Sequence, residues 1–396
     1  MKASPLRVIV VVSQFWPVIG GAEVQARRLA AELLRQGVDV EVWTARLQRA
    51  WPRAETLDGL RVRRFGSPWL LGRLFLRRIE RYFFMLATFV ELLRRRRSYD
   101  VVHVHQVLGA AAAAALAGRL AGHPVVARIS STGSTSDLLV SGRGGFGIQR
   151  AVARRFLTRV VAVSAQAAEE CRRWGYRADQ IVHIPNGVAV PATAPAHGES
   201  EELEVLYLGG LRREKRVDLV IEAWKSAGGP GRLTIAGEGP EGDRLRRLAQ
   251  AVSQPVRFLG RVEDPQPLLE RCDILVLASD AEGMSNALLE AMACGRACIA
   301  TYVGGNVAAL GPELAVPPPA GRYAVGSAGL LVRVGDAAAL AAGLQALARS
   351  PELRGWLGRA ARQRCLARFR LEAVAESYRR LYADLVGPRA GWPPTV

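Results

Sequence analysis

The chain has 396 residues, too many for one ordinary hydrophobic core and enough for two. Its 49% hydrophobic content and mean hydropathy of +0.09 exclude a disordered chain, and no run approaches the roughly 18 apolar residues of a spanning helix. A formal net charge of +18 draws anions (phosphates, nucleic acid or acidic lipid head groups) and selects none of them.

In chain order, Lys2 and Arg7 precede the apolar run 8–12, which is too short for a signal-peptide core and fits a first buried strand. Further strands are predicted at 38–43, 60–64, 101–105, 125–129 and 160–163. Helical patterns fall between them, among them 22–36, ended by Gly37, and the alanine-rich 109–120. Pro185-Asn186-Gly187 and the small, acidic and proline-rich residues after it read as a linker over 188–200. The second half repeats the rhythm, with strands at 205–207, 233–236, 256–259, 274–277 and 297–301 and helices near 218–226, 240–249, 286–294 and 337–348.

This alternation predicts an α/β chain of two parallel, doubly wound sheets: one domain over 1–187, a second over 201–370. A final helix, 371–386, is expected to pack back on the first domain, followed by a loose tail to 396. Two such sheets on one linker leave a cleft, and ligands bind outside the carboxyl ends of the strands. The five cysteines form no C-x-x-C pair; an odd, scattered set fits reduced thiols in a cytoplasmic protein and offers no metal-site spacing.

Chemistry concentrates after the strand at 274–277, in Glu282-Gly-Met-Ser-Asn-Ala-Leu-Leu-Glu290-Ala-Met. Ser285 or Asn286 caps the next helix, so the N–H groups of Gly283, Met284, Ser285 and Asn286 and the positive dipole end suit a diphosphate. Glu290 lies about 6 Å further along the helix, the reach from a phosphate to its ribose; Glu282 suits hydroxyls of a transferred sugar. Taken singly, each glutamate is an ordinary solvated charge, but Glu290 sits in apolar sequence and wants a partner. After the strand at 205–207, Gly209, Gly210, Arg212, Arg213 and Lys215 form a second candidate phosphate cradle. Lys215 is one of three lysines, with Lys2 and Lys225, in an arginine-rich chain, and a compact ammonium suits a phosphate leaving group. Gly237-Glu-Gly-Pro240 reads as a structural turn. Gly260 and Val262 either meet a nucleobase or simply end a strand, and Gly304-Gly305-Asn306 opens a helix that flanks the sugar or serves the fold alone.

Together these segments resemble the retaining glycosyltransferases of family 4. The resemblance implies the GT-B fold, two facing Rossmann-like domains with a cleft between them. It assigns Glu282 to the donor sugar and Glu290 to the donor ribose, with seven residues between them. The family places an arginine and a lysine on the diphosphate: Lys215 matches the lysine, whereas Gly210 stands at the arginine's position, leaving Arg212 or Arg213 to replace it. A nucleotide-sugar, such as a UDP- or GDP-sugar, is then the donor, with no further cofactor and no metal. Rival readings are another GT-B enzyme, such as a sugar-nucleotide epimerase or a glycan phosphorylase, and a non-enzymatic basic module.

On the acceptor side, the resemblance sets Gly20 and Gly21 beside the cleft, although a helix cap explains the pair equally well. His103 and His105 alternate onto one face of their strand, and one of them can meet an acceptor. Where family members carry a histidine, this chain has Ser130 and Ser131, weaker candidates for acceptor contacts. Residues 73–97 mix Phe75, Leu76, Ile79, Phe83, Phe84, Leu86 and Val90 with Arg77, Arg78, Arg81 and Arg94 to Arg97. Such a helix either packs on the first sheet or rests on an anionic membrane surface from the cytoplasmic side. The expected partners are therefore a nucleotide-sugar, a glycan or lipid-linked acceptor and an anionic bilayer, with no nucleic acid.

Overall fold

The structure, a computed structural model, describes residues 5–18, 20–65, 77–107, 109–133, 136–140, 147–194 and 202–387. Part of the expected linker (195–200), residues 73–76 of the arginine-rich segment and the tail beyond 387 lie outside the described residues. The chain divides into two compact units, Met1–Gly187 with Leu371–Val396, and Val188–Arg370.

Unit 1 is built on β1 (Arg7–Val12), β2 (Asp39–Ala45), β3 (Ala54–Leu57), β4 (Leu60–Phe65), β5 (Val101–His105), β6 (Val125–Arg128), β7 (Arg159–Ala162) and β8 (Ile181–His183), in the order β3-β4-β2-β1-β5-β6-β7-β8. Its helices are α1 (Gly21–Arg35), α2 (Arg77–Arg94), α3 (Gly109–Ala121), α4 (Asp137–Val140), α5 (Gly147–Phe156) and α6 (Ala165–Arg173). Every residue of β5 and β6 is buried, as befits parallel strands covered on both faces.

Unit 2 orders β9 (Glu204–Leu208), β10 (Arg232–Ala236), β11 (Val256–Gly260), β12 (Ile274–Leu277), β13 (Ala297–Thr301), β14 (Tyr323–Gly326) and β15 (Gly329–Val332) as β11-β10-β9-β12-β13-β15-β14. Around it lie α7 (Val217–Ser226), α8 (Gly242–Gln250), α9 (Gln266–Arg271), α10 (Asn286–Ala293), α11 (Gly304–Leu310), α12 (Ala337–Arg349) and α13 (Pro351–Arg368). The last helix, α14 (Leu371–Val386), belongs to unit 1, where Val374, Ala375, Tyr378 and Tyr382 join the core formed by Val8, Val10, Val12 and the buried face of α1. Tyr382 also hydrogen-bonds His103 Nδ1 at 2.6 Å.

Both units have the Rossmann-like alternation expected, with one correction: neither sheet is wholly parallel. β3 pairs antiparallel with β4, and β14 with β15. Asp58 and Gly59 both take positive φ (50° and 80°), the backbone of the tight two-residue turn that matches strand twist. β3 escapes a search for apolar runs because it is a short, partly exposed edge strand.

Candidate active site

In unit 2 the chain lays β10 and β11 on one side of β9, and β12 and β13 on the other. β9 and β12 therefore flank the point where the winding reverses; there, successive loops diverge and leave room for a ligand. The loop after β9 carries Gly209, Gly210, Arg212 and Lys215, and the loop after β12 carries Ser279, Glu282, Gly283, Met284 and Ser285.

The two loops meet through charge. Lys215 Nζ donates to Glu282 Oε1 at 2.5 Å, and Ser279 Oγ donates to the same oxygen at 2.9 Å. Asp280 N–H donates to the Glu214 carbonyl at 2.8 Å, so the backbones are joined as well. Ser279 is wholly buried, and its carbonyl accepts a 2.6 Å hydrogen bond from Thr301 Oγ1 on β13. Thr301, Ser279, Glu282 and Lys215 thus form one polar chain leading from the sheet to the loop.

Ser285 is the N-cap of α10, its Oγ accepting from Leu288 N–H at 3.4 Å; this is the serine alternative of the two expected caps. Met284, Ser285 and Glu290 are buried, and Asn286 half-buried. Gly305, at the start of α11, presses against this loop: a Cβ there would lie 2.3 Å from Gly283 O. Its glycine permits direct backbone contact, which places the Gly304-Gly305-Asn306 turn beside Glu282.

Gly210 is open to substitution, since a Cβ there would meet nothing closer than Arg212 Cγ and Nε, both at 3.8 Å. The Arg212 side chain therefore lies beside the place where an arginine at 210 would grow. Arg213 lines a different recess of about 570 Å³, shared with Arg216, Asp218, Glu241, Arg244 and Asp280. There Arg216 pairs with Asp218 at 3.3 Å and with Asp280 at 3.4 Å, a balanced set of charges rather than an open cationic patch. Gly237 is structural as expected: a Cβ would lie 1.8 Å from Gly209 O. Gly260 ends β11 with its carbonyl bound to Gly237 N–H, and Val262, two residues on, is half-buried.

In unit 1, Gly20 is the N-cap of α1, and Gly21 its exposed first residue. A Cβ on Gly20 would lie 2.3 Å from Glu23 Oε2, so the glycine makes room for the carboxylate in the first turn. His105 is 1% exposed and stacked on His103, with ring centroids 4.6 Å apart. Burial, then the charges of His103 and Arg128, hold its pKa well below the usual histidine range. Ser130 is half-buried; its N–H donates to Asp137 Oδ2 at 2.8 Å and its Oγ accepts from Arg128 at 3.2 Å.

Sequence reasoning passed over Ser279, Arg128 and Asp137. Ser279 had a signal, three residues before Glu282 in the same loop; Arg128 sat in an apolar strand and carried none. On α2, Phe84 is buried while Tyr82, Phe83, Leu86 and Val90 are exposed, so this helix both packs on the unit and bares an apolar stripe. Among the described residues, no His, Cys, Asp and Glu side chains cluster as a metal site, and no helix is long and apolar enough to cross a membrane.

Two family models match the chain: a glycosyl transferase 4-like domain over residues 20–187, and glycosyl transferases group 1 over residues 202–350. The chain is 25% identical over 395 residues to N-acetyl-alpha-D-glucosaminyl L-malate synthase of Bacillus anthracis, covering 94% of this chain and 96% of that one. It is 29% identical over 373 residues to a D-inositol 3-phosphate glycosyltransferase of Pseudarthrobacter chlorophenolicus, covering 86% and 85%. Among solved structures, sucrose-phosphate synthase from Thermosynechococcus elongatus superposes with a TM-score of 0.76 at 22% identity, covering 95% of this chain and 98% of that one. Anabaena HepE in complex with UDP and glucose superposes with a TM-score of 0.72 at 19% identity, covering 96% and 100%. With two Rossmann-like units and glycosyltransferase models matching both, the chain is a glycosyltransferase of the GT-B fold.

Proposed function

We propose that the protein is a retaining, family 4-type enzyme that moves a hexosyl sugar from a nucleotide-sugar, such as a UDP- or GDP-sugar, to a hydroxyl of a glycan or lipid-linked acceptor. The observation that carries this reading is the Lys215–Glu282 contact beside the Ser285-capped start of α10, with Glu290 in the same helix. Unit 2 holds the donor. Lys215 and the N-terminal turn of α10 stabilise the charge that develops on the departing diphosphate, where electrostatic help contributes most. Glu282, oriented by Ser279, accepts hydroxyls of the transferred sugar, and Glu290 accepts those of the ribose. Arg212, lying beside Gly210, replaces the missing family arginine. A structural relative holding UDP and glucose supports a UDP-sugar as the donor. No metal and no further cofactor is assigned to the site.

Unit 1 serves the acceptor, and its α2 stripe of Phe83, Leu86 and Val90, followed by Arg94 to Arg97, suits peripheral contact with an anionic bilayer at its cytoplasmic face. Sedimentation with anionic vesicles at low salt checks that contact; a protein left in the supernatant removes the membrane from the reading. The donor assignment is tested by thermal shift with UDP-, GDP- and ADP-sugars on wild type and Glu290→Ala. A selective shift in wild type, lost in the variant, is expected. Equal shifts in both proteins would remove Glu290 from the site.

A further inference from the structure

Arg128 closes β6 and His105 closes β5, and the two are register partners on adjacent parallel strands. Neighbours in register point to the same face, so their side chains lie together at the carboxyl edge of the unit 1 sheet. Both are almost wholly buried, at 4% and 1% exposure. Gln106, next to His105, and Ser130, two residues after Arg128 and bonded to it, are half-buried, so the pair lies beneath residues that reach the surface.

The guanidinium of Arg128 is held by two neutral oxygens, Ser130 Oγ at 3.2 Å and Asn186 Oδ1. Among the described residues no carboxylate lies within ion-pair distance of it. Asp137, whose charge acts on Arg128 through space without touching it, is itself engaged by Ser130 N–H and Ser131 Oγ, both at 2.8 Å. Both ring nitrogens of His105 are buried without a hydrogen-bond partner. A buried cation with no carboxylate in direct contact is costly in a protein interior, and an unpaired imidazole beside it adds to the cost. A guanidinium fork and a ring N–H on adjacent strand ends are the kind of donors a planar or tetrahedral oxyanion requires.

We propose that Arg128 and His105 form the seat for an oxyanion, a carboxylate or phosphate carried by the acceptor, with Asn186 and Ser130 setting the plane of the guanidinium. The inference rests on the transfer reading for the word acceptor; the anion seat itself stands on the geometry of unit 1. The ligand supplies an anion in direct contact with Arg128, and the seat selects acid-bearing acceptors over uncharged polyols.

The test is thermal protection of the full chain by inorganic phosphate and by L-malate, with glycerol as the uncharged control. Phosphate can also reach the Lys215 loop, so Lys215→Ala accompanies wild type. Protection by an oxyanion that persists in Lys215→Ala and disappears in Arg128→Met is expected, with nucleotide-sugar protection unchanged in Arg128→Met. Should Arg128→Met fail to fold, Arg128→Lys, which keeps the charge and loses the fork, is expected to weaken oxyanion binding at least tenfold. A parallel arm uses phosphatidylinositol vesicles. Protection by soluble anions identifies a small acceptor, and Arg128-dependent binding of the vesicles alone identifies a lipid head group. If neither soluble anions nor vesicles act through Arg128, the seat is overturned, and nucleotide-sugar protection in the same samples leaves the donor reading standing. Conversely, no nucleotide-sugar protection with intact oxyanion protection would fail the transfer reading and keep the seat.

Discussion

Lys215 Nζ and Glu282 Oε1 lie 2.5 Å apart although 67 residues separate them in the chain. β9 and β12 are hydrogen-bonded neighbours, Val205 opposite Ile274, and each lysine or glutamate stands in the loop that leaves its strand. The pairing brings the one lysine of the β9 loop to the first glutamate of the motif.

Lys215→Ala is expected to lower kcat by roughly 10²-fold or more, since removal of one preorganised charge-stabilising group typically has that effect. Glu282→Gln should also slow transfer. Because the two act as a unit, the double variant should be little worse than the worse single one. Steady-state kinetics on the three proteins, with melting curves to exclude misfolding, check this. Independent, multiplying losses would separate the two residues.

Ser279→Ala removes the hydroxyl that donates to Glu282 at 2.9 Å and leaves the chain fold otherwise intact. A hydrogen bond to a charged group contributes about 1.5–3 kcal/mol, so kcat should fall by roughly 10- to 100-fold. Ser279→Thr, which restores the hydroxyl, should recover part of the loss. Equal activity of Ala and wild type would make Ser279 a packing residue only.

Gly210→Arg should tighten nucleotide-sugar binding. The site has room for a side chain, with no neighbour closer than 3.8 Å to a new Cβ. One added charge-assisted contact corresponds to about tenfold in affinity at ~1.4 kcal/mol. Arg212→Ala should weaken binding in wild type and matter less in the Gly210→Arg background. Titration of the four proteins with the preferred donor reads the coupling directly.

Gly305→Ala forces a methyl group to within 2.3 Å of Gly283 O. The Glu282–Ser285 loop must then shift, and near-attack geometry tolerates little displacement. Activity should drop by about 10²-fold while the melting temperature falls by only a few degrees. Full activity would show that the loop position is not critical.

Unit 1 should be acid-sensitive. Burial first, then the charge of Arg128, lowers the His103 pKa to about 3, and His105 is likewise held well below the usual range. Between the lowered folded values and about 6.5 the unfolded chain binds protons that these rings refuse, so stability rises with pH, is fully present above about 6.5 and is lost as pH falls below it. The limiting slope is about 1.4 kcal/mol per pH unit for each ring. His105→Phe keeps a ring in the stack and should flatten the slope of stability against pH between 4 and 6. An unchanged slope would place the titration elsewhere.

The alternation of buried strands and amphipathic helices is legible in the sequence, because apolar runs such as Ile274–Leu277 and caps such as Ser285 act through neighbours a few residues away. The sequence also carried the spacing of Glu282 and Glu290, which a single loop and helix preserve. Edge strand β3 was invisible because its burial depends on β4, and its half-exposed residues make no apolar run. Which residues meet across the sheets follows from the folded arrangement. Strand order put Lys215 on Glu282, backbone contact put Gly305 against Gly283, and parallel register put Arg128 beside His105. The difference is one of range: propensity, capping and periodicity are local, whereas charge pairing and close packing depend on strand order and register that no short window of sequence contains.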